Sequence, residues 1–119
     1  MYIAERLKMT GTKNDSGKLR MDLIPPEAMI ALAEVLSMGA NKYADHNWRK
    51  GIEYSRVLGA LERHLADWKM GNRFDDESKL NHMAHVLCNV VFLMTYEREM
   101  RDDLNDLYNY NKETEHAKT

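Results

Sequence analysis

Three histidines of this chain sit at helical spacing among apolar neighbours: His64 in LERHLADW, and His82 and His85 in LNHMAHVLCNVVFL. At about 3.6 residues per turn, Ser78, His82, His85 and Asn89 share an arc that runs on into Phe92, Leu93 and Tyr96. A polar band that continues as an apolar stripe turns inward, where imidazoles and amides must find partners. A bound ion or polar ligand is one source of partners; a hydrogen-bonded core network is the other. His82-x-x-His85 sets two rings on neighbouring ridges, close enough to share an ion, and His64 with Asp67 repeats that spacing. Glu77 precedes the histidine pair and reaches the rim of the same space. His64, Asp67, Glu77, His82 and His85 therefore form a candidate divalent-metal set. Imidazoles favour manganese or another transition ion, whereas magnesium prefers oxygen.

Cations and rings lie close by. Arg56 and Arg63 are one heptad apart beside His64, and guanidinium forks match phosphoryl oxygens. The plainer alternative for Arg63 is an i, i+4 ion pair with Asp67. The connection Tyr43, His46, Asn47, Trp48, Arg49, Lys50 gathers rings, an amide and cations, which can stack on and hydrogen-bond a base. A tryptophan in such a loop also serves as a packing plug. GTKNDSGKL imitates a phosphate loop, but its glycines stand one residue too far apart and Leu19 replaces the metal-binding hydroxyl. Lys13, Lys18 and Arg20 remain as a basic cover for an anionic ligand.

The elements that must position these groups are helical. Pro25 and Pro26 open a helix from Glu27 to about Lys42, with Ala28, Leu32, Val35, Leu36 and Gly39 on one face. Glu27, Glu34 and Asn41 repeat on the opposite side and read as solvated. A second helix, about Ile52 to Met70, carries the stripe Tyr54, Val57, Leu61, His64, Leu65 and Trp68, and Gly71 suits its C-cap. The acidic run 75–77 favours the N-terminus of a third helix, about Ser78 to Arg101. That helix is apolar on a broad side (Leu80, Met83, Val86, Leu87, Val90, Val91, Met94), with a narrow face of Ala84, Cys88 and Thr95. It reads as the central helix of a bundle. The expected fold is all-α: a compact helical bundle in one domain over residues 1–101, with a loop-rich N-terminal segment 1–21 and a polar extension 102–119. A short strand near Tyr2 and Ile3 and a helical extension through Leu104, Leu107 and Tyr108 complete the expectation.

Composition narrows the setting. A hydrophobic fraction of 44% and a charged fraction of 30% over 119 residues suit an ordinary globular domain. The formal net charge of −2 gives no reason to expect a nucleic-acid partner. The single cysteine, Cys88, excludes an internal disulfide framework and fits a reducing compartment. MYIAERLKMTGTKND lacks an apolar signal core, and the stretch Val86 to Met94 is too short to span a bilayer. A cytoplasmic protein without a membrane partner is expected.

The strings GKLRMDLIPPEA, GANKYADHNWRKG, RHLADW, DDES and HMAHVLCNVVFL together resemble the phage dATP/dGTP diphosphohydrolases, or MazZ group. These are MazG-like members of the all-α nucleotide pyrophosphohydrolase family, and the likeness covers residues 13–97. It implies a bundle that uses a divalent metal, Mn2+ or Mg2+, to cut a purine deoxynucleoside triphosphate, dGTP or dATP, into monophosphate and pyrophosphate. In phages that replace adenine by 2-aminoadenine this reaction supplies dGMP and depletes dATP. The resemblance further implies a homodimer or homotetramer whose sites neighbouring subunits complete, working in the host cytoplasm if the chain is phage-encoded. Carried over onto this chain, His64, Asp67, Glu77, His82 and His85 hold metal and do the chemistry. Arg63, Lys42, Lys18 and Arg20 contact phosphate, and Tyr43, Asn47 and Trp48 face the base. Asn89 orients a histidine or touches the ligand.

The chain departs from the parent MazG pattern, which carries E-E-x-x-E on one helix and E-x-x-D on the next. His82 and His85 stand in the places of the second motif's acids. In the first motif, RHLAD leaves Asp67 as its only acid; a register one residue earlier starts at Glu62. Asn72 replaces a frequent glutamate, and Lys79 stands where the phage group often has glycine. Two other readings compete. Triphosphate-releasing hydrolases carry an adjacent His-Asp pair, absent here. A non-catalytic oligomeric nucleotide-binding helical module would bind nucleotide without consuming it.

Overall fold

In a computed structural model, which describes residues 10–108, α1 spans Pro26–Lys42, α2 Tyr54–Lys69 and α3 His82–Arg98. Short 3-10 turns occupy Met21–Leu23, Asn47–Lys50 and Asp102–Leu104. The expected all-α bundle is what forms, with α3 packed between α1 and α2. Among the described residues the sole β feature is an isolated antiparallel bridge from Phe74 to Asn81. None of the described helices is long and apolar enough to cross a membrane.

Each helix end has a chemical cause. Pro26 starts α1, where a missing N–H costs nothing. Val35 is its buried anchor, and Glu27, Glu34 and Asn41 are exposed as their spacing predicted. The N-terminus of α2 is capped from a distance: the Asp106 carboxylate accepts from the Ser55 backbone N–H at 2.8 Å and from its hydroxyl at 2.5 Å. At the other end Gly71 has φ of 95°, its N–H reaches Trp68 O, and Asn72 N–H reaches Asp67 O. That is a Schellman closure, which needs the left-handed conformation glycine adopts cheaply. The Asn81 side chain caps α3 by accepting from Met83 N–H at 2.8 Å.

Two expectations about α3 are corrected. It begins at His82, not Ser78, because residues 73–82 fold back on themselves first. His82 N–H bonds Arg73 O, Asp75 N–H bonds Leu80 O, and Lys79 takes a left-handed φ of 64°. It also stops at Arg98; the extension through Leu104, Leu107 and Tyr108 is only a turn. The strand expected near Tyr2 and Ile3 lies outside the described residues.

The core sits on the narrow face of α3. Val35, Ala84 and Cys88 form one buried cluster and Tyr54, Val57 and Tyr96 another, with Phe92 packed against both. Tyr96 is 0% exposed, and its hydroxyl donates to the Trp48 carbonyl oxygen at 2.5 Å. The side of α3 that reads as the broader apolar face is the less covered one: Met94 is 64% exposed and Met83 39%. Met29 and Ile30 of α1 are exposed as well.

Candidate functional site

Helix α2 brings His64, and the first turn of α3 brings His82 and His85, into one cluster. The Nδ1 atoms of His64 and His82 are 2.8 Å apart. At that distance one ring donates an N–H and the other accepts, so the two cannot both be protonated there. The His64 and His85 rings stack at 4.3 Å with 6° between their planes. His85 Nε2 is 2.7 Å from the Ser78 hydroxyl, which also accepts from Leu80 N–H at 3.2 Å. The expected convergence of the three histidines is present.

The acids divide differently from expectation. Asp75, which sequence reasoning passed over for Glu77, lies 4.0 Å from His64 Nδ1. Its other oxygen accepts from Ser78 N–H at 2.8 Å, so the turn that delays α3 also aims this carboxylate at the imidazoles. The D-x-x-S spacing of Asp75 and Ser78, a side chain closing on the backbone N–H three residues on, is the signal that could have found it. Asp67 sits 3.9 Å from His82 Nε2 but is largely exposed. Glu77 pairs instead with Lys42 at 3.2 Å on the rim. Arg63 makes no ion pair with Asp67; its guanidinium folds back towards Gly59, 3.2 Å from where a Cβ would stand.

Burial explains the titration of the cluster. Desolvation lowers the His64 pKa, helped by His85 and His82 and opposed by Asp75 and Asp67. Desolvation likewise lowers that of His85 against the opposing carboxylates of Asp75 and Glu77. Burial alone would raise Asp75, but the Ser78 N–H and hydroxyl, with His85 and His64, outweigh it and hold the acid below its usual range. His64 and His85 therefore favour the neutral form beside an ionised Asp75, the protonation state that metal ligation requires.

His64, Asp75 and His82 each offer a ligand atom, all within 4.8 Å of one another. Two imidazole nitrogens on one ion, each bonded at about 2.1 Å, stand roughly 3.0–3.4 Å apart. The 2.8 Å separation here needs only a small opening. Nitrogen donors with one carboxylate suit a transition ion such as manganese better than magnesium. His85, held by Ser78 and stacked on His64, and Glu77, held by Lys42, fall outside this triad.

Two cavities meet at the cluster. A polar one of about 370 Å³ is lined by Lys42, Arg63, His64, Asp67, Asp75 and Glu77, among others. A larger one of about 640 Å³ has apolar walls that include Val35, Ile52, Cys88 and Phe92, with Asn47 and Asn89 as amides. Met38, Gly39, Tyr43, His64 and His85 line both. Tyr43 is exposed at the junction. Trp48 lines the larger cavity as a plug: Phe92 stacks on it at 4.6 Å and the Arg49 guanidinium lies 4.9 Å from its ring centre. Phe92 and Arg49 thus meet the ring that was expected to stack on a base. Lys18 and Arg20 line neither cavity, and Arg20 is engaged by Asp22 at 2.7 Å and 2.8 Å.

A helical domain that joins an apolar slot to a histidine–carboxylate cluster has the all-α architecture expected of the family that the sequence motifs resemble. Residues 8–106 match the family model described as dATP/dGTP diphosphohydrolase, N-terminal, and the chain belongs to that family. It is 39% identical over 85 residues to a dATP/dGTP diphosphohydrolase of Salmonella phage PMBT28. That match covers 71% of this chain and 29% of the relative, so the chain spans under a third of the relative's length. No solved structure matches the chain.

Proposed function

We propose that this domain hydrolyses purine deoxynucleoside triphosphates, dGTP or dATP, to the monophosphate and pyrophosphate. One observation carries the reading: an apolar cavity large enough for a base opens into a polar cavity holding cations and the histidine cluster. The family resemblance supplies the reaction class, and the paired cavities supply a place for each half of a nucleotide. Tyr43 and Asn47 flank the base, and Lys42 and Arg63 face the phosphates. Lys42 must first leave Glu77, which costs little because an exposed ion pair contributes under about 1 kcal/mol.

His64, His82 and Asp75 are the residues that would hold a divalent cation, with Asp67 at the edge. When bound, the cation supplies Lewis-acid stabilisation of phosphoryl charge. Everything else belongs to the chain. Lys42 and Arg63 offset negative charge that builds on the equatorial and departing oxygens. His85 stays neutral through burial, and Ser78 fixes its Nε2. Self-association accompanies the reading: a second copy of the chain is the natural cover for the apolar side of α3. The protein is expected to act in the cytoplasm, with no nucleic-acid partner.

The test is product analysis. Each dNTP is incubated with manganese or magnesium, and pyrophosphate with dGMP or dAMP is the expected outcome. Inorganic triphosphate would overturn the reaction assignment. One observation favours a second reading, a nucleotide-binding module without turnover. Among the described residues every buried side-chain nitrogen and oxygen already has a partner, so the histidine network closes on itself. Binding of intact nucleotide with no product, under either metal, would establish that reading instead.

A further inference from the structure

Asn89 stands on α3 one turn beyond His85 and lines the apolar cavity. Its side-chain N–H donates to the His85 carbonyl oxygen at 2.8 Å. That bond fixes which way the amide faces. An amide whose nitrogen is held by a carbonyl must present its oxygen, a pure acceptor, on the other side. Among the described residues no donor reaches that oxygen, and none of their sealed side-chain polar atoms lacks a partner. The Oδ1 atom is therefore open, and the space Asn89 borders is the cavity. Its walls combine hydrocarbon, aromatic rings and the Cys88 thiol, whose pKa burial raises to about 11, with polar side chains such as Asp45, His46, Asn47 and His85. The thiol is thus no rival anion.

From this geometry we infer that the Asn89 oxygen accepts a hydrogen bond from an exocyclic amine of the bound base, so that Asn89 is a specificity-determining residue. The inference rests on the proposed nucleotide reading. It deepens that reading by naming the group on the base that is recognised. A base without the amine leaves this acceptor unpaired once it fills the cavity, and discrimination follows from that penalty.

The experiment compares kcat/KM, and separately Kd with manganese omitted, for two substrate pairs differing only by the amine. The pairs are dGTP with dITP, and dATP with the triphosphate of purine 2′-deoxyriboside. The wild-type protein is expected to prefer the amine-bearing member of at least one pair by about three- to tenfold. Asn89→Leu is expected to bring that preference to about one. Asn89→Ala reads the same ratio if the leucine does not fold. A residue that merely supports α3 would lower both members in parallel and leave the ratio intact. A preference that survives in the variants, or its absence from both wild-type pairs, overturns the inference while leaving nucleotide hydrolysis standing. A wild-type protein that neither binds nor cleaves any of the four overturns the functional reading itself.

Discussion

Replacing Asp75 by asparagine separates the two carboxylates that compete for the cation. Both stand near an imidazole, at 4.0 Å from His64 for Asp75 and 3.9 Å from His82 for Asp67. Distance alone does not distinguish them; burial does. The Asp75 side chain is 22% exposed and that of Asp67 52%. At such separations a unit charge pair is worth up to about 4 kcal/mol at an effective dielectric of about 20, but only about 1 kcal/mol in water. Asp75 sits nearer the first limit and Asp67 nearer the second. Asp75→Asn should therefore weaken manganese binding about a hundredfold, and Asp67→Asn less than about fivefold. The amide keeps an oxygen to accept from Ser78 N–H, so the 75–78 turn and the melting temperature should change little. Isothermal titration with Mn2+ at neutral pH reads both variants, with circular dichroism as the fold control. A larger loss in Asp67→Asn than in Asp75→Asn would refute the assignment of ligands, and wild-type affinity in both would refute a metal at this cluster.

Lys79, an exposed residue, holds a left-handed φ of 64°. Lys79→Gly should raise stability by about 1 kcal/mol, or a few degrees in melting temperature, since a non-glycine residue costs roughly 1–2 kcal/mol there. An unchanged or lower midpoint in urea would count against that backbone conformation. His64 and His85 are harder to protonate in the fold than in the unfolded chain. Their contribution is thus complete above about pH 6.5 and lost as pH falls through the lower folded-state values. Denaturation midpoints should fall between pH 7.5 and about pH 5 more steeply than in His85→Gln. Cys88, buried with its pKa raised to about 11, should resist a thiol reagent at pH 8 until the protein is unfolded. Rapid modification of the native protein would show that the α1–α3 contact opens freely.

The helices were legible because their signals are local. Pro25 and Pro26, the apolar spacing from Ala28 to Gly39 and the glycine at position 71 each act within a turn of where they stand. The approach of His64 to the His82 pair followed from the helical period and a short connection. Asp75 was not legible, because its role depends on a loop that reverses. The Phe74–Asn81 bridge and the Lys79 backbone pull position 75 back over α3, whereas an acidic run read as the start of a helix points Glu77 forward. Trp48 was ambiguous for a related reason. Its partner Phe92 lies on another helix, and only packing decides whether a ring meets a base or a neighbour.

The case of α3 carries furthest. A helix apolar on nearly every side belongs in the middle of something, and one chain supplies cover for only part of it. The face given to the chain's own core is the one with His82, Ala84, His85 and Cys88, small or polar groups that admit a ligand beside them. The larger aliphatic side, with Met83 and Met94, is left to water. Burying apolar area contributes about 25 cal/mol per Å², so the exposed Met83 and Met94 beside half-buried Val86, Val90 and Val91 represent a driving force that the monomer does not use. The arrangement is economical if a second copy covers that side. The histidine face is then free to keep its cavity, because rigidity of α3 comes from the partner rather than from a fully packed interior. It follows that Met94→Glu, at a residue that lines neither cavity, should lower the apparent molecular mass in sedimentation and reduce turnover together. A monomeric wild-type protein with full activity would sever that link.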